Sequence, residues 1–229
     1  MLDQAFAALT SFEWGDDPAV LKPIDEAVIA THGQTAARAE LEGQLLAALA
    51  TANSRAAKDY LFRHLMIVGT NTSVPALAKF LTGELSHLAR YALERIPTAE
   101  AAQALRDACG QANNAYRIGA MSSLGVRRDA ASVPLLTDAL MDQDPAVARA
   151  AAYALGDIRT VDAAKALSHA QPAEQTNAAV ADASLSCAEG LLAAGNKAGA
   201  LAIFKRYIGE NQAKHVRVAA TRGMLACAK

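Results

Sequence analysis

Three segments of the chain repeat one phrase at one interval: Tyr91-Ala92-Leu93-Glu94-Arg95-Ile96, Ser122-Ser123-Leu124-Gly125-Val126-Arg127 and Tyr153-Ala154-Leu155-Gly156-Asp157-Ile158. The leucines fall at positions 93, 124 and 155, two equal steps along the chain. A self-similar period of this length in apolar helical sequence requires stacked helical pairs, because a single unit cannot bury its own apolar face. The 229 residues hold about seven such units.

Hydrophobic residues make up 52% of the chain but aromatics only 5%, and alanine is the commonest residue. Alanine has the best helix propensity, and small side chains let helices approach closely. Alternation of strand type is absent; Met66-Ile67-Val68 is its nearest approach and lies within a longer helical pattern. These features predict an all-α fold, a right-handed α-solenoid of about seven antiparallel helix pairs.

The clearest unit runs from Ser132 to Thr160. Val133-Pro134 opens a helix, since proline suits a first turn where its missing N–H is not needed. Asp142-Gln143-Asp144-Pro145 breaks that helix and caps the next one. Val147, Ala150, Ala151, Ala154, Leu155 and Ile158 then form an inward stripe, Gly156 lets neighbouring backbones pack tightly, and Thr160 or Asp162 caps the following helix. The same grammar predicts pairs at 3–12 with 18–30, 36–50 with 54–69, 74 through 96, 99 through 125 with an internal turn at 111–114, 161–170 with 176–194 after a Gln171-Pro172 break, and 197–208 with 214–228. The array spans 1–229 as one domain, with irregular units over 1–70, regular repeats over 71–160 and longer units over 161–229. Trp14, in the first and irregular unit, is expected to plug the end of the array.

Val133-Pro134-x-Leu136, Asp144-Pro145-x-Val147 and Ala150-Ala151-x-x-Ala154-Leu155-Gly156 together resemble the bacterial HEAT repeat, an armadillo-like unit of the short type also found in phycobilisome-lyase-like proteins. Tyr116-Arg117-Ile118-Gly119-Ala120 and Val216-Arg217-Val218-Ala219-Ala220 resemble its Val-Arg-x-x-Ala stretch. The resemblance runs from about 73 to 160 most clearly and extends to the C-terminus, where Gly195 through Tyr207 also resembles one tetratricopeptide repeat. It implies a non-catalytic protein-binding or scaffolding module. A second reading it carries is an accessory part of an enzyme system, phycobilin-lyase-like or a HEAT segment of a larger exported multidomain protein. It further implies that Arg117 and Arg217 brace the turns through acidic partners. Ser86 and Ala148 occupy that slot in neighbouring repeats, so no continuous arginine ladder forms.

Net charge is −1 with both signs interspersed, which gives no basic excess for a nucleic-acid backbone. A lone tryptophan also sets the chain apart from HEAT-like DNA glycosylases, whose basic face carries several. Cys109, Cys187 and Cys227 are distant from one another and form no CxxC pair, so they read as small buried hydrophobes rather than metal or redox ligands. No histidine among His32, His64, His87, His169 and His215 is followed by glutamate, as in the HEAT-type di-iron hydroxylases, and no HExxH, GxSxG, P-loop or GxGxxG occurs. No catalytic residue, metal ligand or cofactor is expected.

No apolar stretch reaches the ~18 residues of a membrane span, and no membrane insertion is expected. The start lacks a basic and then apolar leader. The apolar last helix ends without a polar cap, an arrangement expected of a piece of a longer chain. The odd cysteine count favours a reducing cytoplasm; the resemblance to exported proteins favours the periplasm. Partners would be a protein or peptide, or other domains of a longer parent chain.

What remains is surface. Arg149, Ala152, Tyr153 and Gly156 fall off the apolar stripe of one second helix; the equivalent slots hold Ile118, Met121, Ser122 and Gly125 one repeat earlier, and His87, Arg90, Tyr91 and Glu94 two earlier. Tyr91 and Tyr153 are thus expected on one face, roughly 20 Å apart at usual helix spacing. Tyrosine and arginine are enriched at binding hot spots. Arg90, Tyr91, Glu94, Arg149 and Tyr153 are therefore the candidate partner-binding residues. The competing reading is that the tyrosines fill gaps between repeats and that the arginines pair with Glu94 or with aspartates in the turns.

Overall fold

A computed structural model describes residues 1–111, 113–171 and 173–228. Ala112 of the expected turn, Pro172 of the expected break and the last residue, Lys229, lie outside the described residues. Among the described residues there are fourteen α-helices and no strand: α1 (Leu2–Leu9), α2 (Lys22–Ala30), α3 (Thr35–Thr51), α4 (Arg55–Val68), α5 (Val74–Ala78), α6 (Ser86–Arg95), α7 (Ala99–Ala108), α8 (Asn114–Val126), α9 (Val133–Ala139), α10 (Pro145–Ile158), α11 (Val161–His169), α12 (Asn177–Ala193), α13 (Lys197–Arg206) and α14 (Lys214–Cys227). Among the described residues α1 packs with α2, α3 with α4, α5 with α6, α9 with α10, α11 with α12 and α13 with α14, and the architecture is an α-solenoid.

Several helices, α4, α8, α10, α11 and α13 among them, start where small polar side chains satisfy first-turn amides that have no partner within the helix. Asp144 accepts from Ala146 N–H ahead of Pro145, and Asn113 accepts from Ala115 N–H. Ser54 accepts from Ala57 N–H. Thr160 caps α11 by accepting from Ala163 N–H, while Asp162 instead pairs with Lys165 at 3.4 Å. The helices α8 and α10 end on non-glycine residues in the left-handed region, Arg128 (φ 52°) and Arg159 (φ 58°), separated by the same step as the leucines. Such a site normally takes glycine. Arg159 lays its aliphatic stem on Gly190 of α12 and donates from Nε to Ser186 Oγ at 3.2 Å, contacts that offset the backbone cost.

The chain divides into two compact units, 1–104 and 105–229. In unit 1, the second helices α2, α4 and α6 stack with α4 between the other two. Leu45, Leu61, Phe62, Leu65, Leu77 and Leu93 are among its fully enclosed large side chains, each contributing about 1.5–3 kcal/mol of burial. The helix α3 is tied to α4 by polar side chains. Arg38 donates to the carbonyls of Ile67 and Val68 at the end of α4, which have no partner within the helix. The buried Glu42 carboxylate accepts from Thr70 N–H at 2.7 Å, Thr70 Oγ1 at 2.8 Å and the Ser73 hydroxyl.

Unit 2 stacks α8, α10, α12 and α14 in order, and its closest approaches run through glycine. A Cβ on Gly125 would lie 2.9 Å from Ala154 Cα, and one on Gly156 would lie 2.9 Å from Ala183 Cα. The Leu-Gly of the repeated phrase is therefore a backbone seam, with Leu124 and Leu155 completely buried beside it.

Candidate functional site

In unit 1 the candidates Arg90, Tyr91 and Glu94 lie on α6. The Tyr91 ring is 46% exposed, so it fills no gap between repeats. The guanidinium carbon of Arg90 is 5.7 Å from its centre, and the His87 ring meets it edge-on at 6.3 Å. Arg90 and Glu94 are half-buried, and neither is free.

In unit 2, Arg149 and Tyr153 lie one turn apart on α10 and so share a face. Tyr153 is 51% exposed. Among the described residues Arg149 pairs with no carboxylate, unlike the competing reading, in which it pairs with Glu94 or a turn aspartate. Ala152 and Gly156, read as off the stripe with these two, are instead buried, as are Met121 and Gly125 one repeat earlier. The reason is the seam: α8 and α12 flank α10 on both sides, which widens the buried arc. Only Ser122 and Tyr153 stay exposed in that column.

The column continues in a way that the leucine step misses. One such step beyond Tyr153 stands Ser184, which is buried and accepts from Tyr207 at 2.9 Å. The seam sets the register instead: Tyr153 precedes the alanine touched by Gly125, and Asp182 precedes the alanine touched by Gly156. Asp182 is exposed, and His215 Nε2 on α14 is 3.9 Å from its Oδ1. The exposed row of unit 2 thus reads Ser122, Tyr153, Asp182, His215.

Arg117 braces its turn as expected. It donates to Asp142 Oδ2 at 2.8 Å, Asn114 Oδ1 at 2.9 Å and the Cys109 carbonyl at 3.2 Å. Asp142 also accepts from Asp144 N–H; that bond first, and Arg117 second, hold its carboxyl below the ordinary carboxylate range. Asp144 is lowered in the same way by Ala146 N–H and then Asn114. Among the described residues Arg217 finds no such partner, and its Nε is buried without a hydrogen bond. Arg106, which sequence patterns did not single out, pairs with Asp129 at 2.6 Å.

Two further groups of titratable side chains lie inside. Tyr60 donates to Asp25 Oδ1 at 2.8 Å, and His64 Nε2 sits 3.0 Å from the same oxygen without hydrogen-bond geometry. Burial lowers the His64 pKa against the opposing pull of Asp25, and burial followed by Asp25 raises that of Tyr60. The group joins α2 to α4, and the long separations of 25, 60 and 64 leave no local motif. Burial pushes the thiols of Cys109 and Cys187 up to about 12, which leaves them unreactive near neutral pH; Cys227 is half-buried. Among the described residues no three His, Cys, Asp or Glu side chains cluster as metal ligands do, and no helix is long and apolar enough to cross a membrane.

The family model for HEAT repeats matches residues 102–186. No curated protein matches the chain. Two crystal structures of engineered proteins align over 100% of this chain and 68% and 97% of their own. They do so at 17% and 16% identity with TM-scores of 0.47 and 0.43. HEAT repeats generally mediate protein–protein interaction. The matched segment covers α8 to α11 entirely and the first part of the long α12, where the glycine seam lies. Residues 102–186 thus match HEAT repeats.

Proposed function

We propose that this protein is a non-catalytic interaction or scaffolding module that binds a protein or peptide partner on the face its second helices present. Arg149 and Tyr153 make the contact in unit 2, and Arg90, Tyr91 and Glu94 in unit 1. On solenoids this face is the concave one, preformed and therefore cheap to order on binding. The observation that carries the reading is Tyr153, half-exposed beside the unpaired Arg149 on a helix otherwise packed against neighbours on both sides. An amphipathic ring and a planar cation in that setting are hot-spot chemistry.

The test is capture of partners by the wild type and by Tyr91→Ala/Tyr153→Ala. Both rings are about half exposed, so the variant folds. Loss of a hot-spot tyrosine costs about 2 kcal/mol, roughly thirty-fold in affinity. Equal recovery of every partner by both proteins would refute the assignment.

A further inference from the structure

The near-neutral total charge conceals a segregation of charge along the chain. The last pair, α13 with α14, carries Lys197, Lys205, Arg206, Lys214, Arg217 and Arg222 against the single acid Glu210. The first pair carries Asp3, Glu13, Asp16, Asp17, Asp25 and Glu26 against the single base Lys22. Charges interspersed through the middle mask this in any whole-chain count.

The basic pair has a shaped surface. A cleft of 390 Å³ is lined by Ile208, Lys214, Arg217, Val218, Thr221 and Arg222. Its apolar walls are open, Ile208 being 43% and Val218 49% exposed. Lys214 and Arg222, both exposed, and the half-buried Arg217 give it a cationic rim.

The acidic pair has a matching projection. Trp14 does not plug the end of the array; it is 64% exposed, with Glu13, Asp16 and Asp17 exposed around it. The loop is held in shape. Asp16 accepts from Glu13 N–H at 2.8 Å and Asp17 from Ala19 N–H at 2.9 Å. Gly15 turns the chain at φ 105°, which an L side chain resists. An indole rimmed by carboxylates suits a cleft with aliphatic walls and a cationic rim, since tryptophan is the strongest ring for cation–π attraction.

We propose that the α14 cleft of one copy receives the Trp14 loop of a second copy, giving head-to-tail self-association. Such a contact is heterologous, so each copy gives one loop and receives one, and growth does not stop at a dimer unless a ring closes. The proposal goes beyond the partner-binding face and uses none of its residues, so either can fail alone.

The experiment is the molar mass of the purified chain by light scattering across a concentration series. At about 0.01 M salt the mass rises above the 23.8 kDa monomer with concentration, and at about 1 M salt, where screening is nearly complete, it returns there. Trp14→Ala and Lys214→Glu/Arg222→Glu alter exposed positions and keep the wild-type helical circular dichroism. Each alone stays monomeric. Mixed in equal amounts they form a dimer and no larger species, because only one loop and one cleft survive between them. A wild type that is monomeric at low salt overturns the proposal, as does either variant that still associates or a mixture that remains monomeric. A monomeric wild type whose cleft binds a synthetic acidic tryptophan peptide would overturn the second copy as occupant.

Discussion

Unit 1 and unit 2 stack helix pairs alike but hold them by different means. In unit 2 the second helices touch backbone to backbone at Gly125 and Gly156. In unit 1 the helix glycine Gly43 meets nothing within 4 Å, and α3 is held to α4 by Arg38 and the buried Glu42. A repeated seam needs no side-chain partner and so can be copied from unit to unit. A buried carboxylate needs particular donors and breaks the repeat. The irregular period over 1–70 and the Leu-Gly phrase shared by 124–125 and 155–156 are two outcomes of that one difference.

The largest effect that separates the two modes is expected at Glu42. Glu42→Ala removes an acceptor from three donors and leaves the wholly buried Ser73 hydroxyl unsatisfied. It should cost about 3 kcal/mol, read as a lowered denaturant midpoint. A loss under about 1 kcal/mol would mean that apolar packing alone holds α3 to α4. Gly156→Ala comes next. Its methyl group meets backbone 2.9 Å away, so α10 and α12 must separate, at about 2 kcal/mol net of the better helix propensity.

Acid distinguishes the units by order rather than size. Burial lowers the His64 pKa, so its stabilising contribution is complete above the ordinary value of about 6.5 and fades as pH falls from there toward the lowered value. The lowered Asp142 and Asp144 contribute above the ordinary carboxylate value of about 3.9 and lose that only below it. Hydrogen exchange, corrected for intrinsic rates, should therefore accelerate in α4 before α10 as pH is lowered from 7. Acceleration in α10 first would reverse the assignment.

Much of the fold was legible because its punctuation is local. Pro134, Asp144-Pro145 and Thr160 mark helix starts through geometry set within a single turn, and α9, α10 and α11 start where those marks place them. The seam was legible as Gly125 and Gly156, but not its width, which depends on what packs on both sides of α10. The exposed row of unit 2 was legible at Ser122 and Tyr153 and lost at Asp182, since the longer α12 shifts the register from the leucine step. The Asp25–Tyr60–His64 group and the charged first and last pairs left no motif. One joins distant residues; the others cancel in the total charge.

The smallest effect supplies the sharpest comparison. Gly43→Ala on the open face of α3 should stabilise by about 0.7 kcal/mol through helix propensity alone. Measured in parallel by thermal unfolding, Gly43→Ala should raise the midpoint and Gly156→Ala lower it. Two shifts of the same upward sign would contradict the seam, and with it the reason why the Leu-Gly of 124–125 recurs at 155–156.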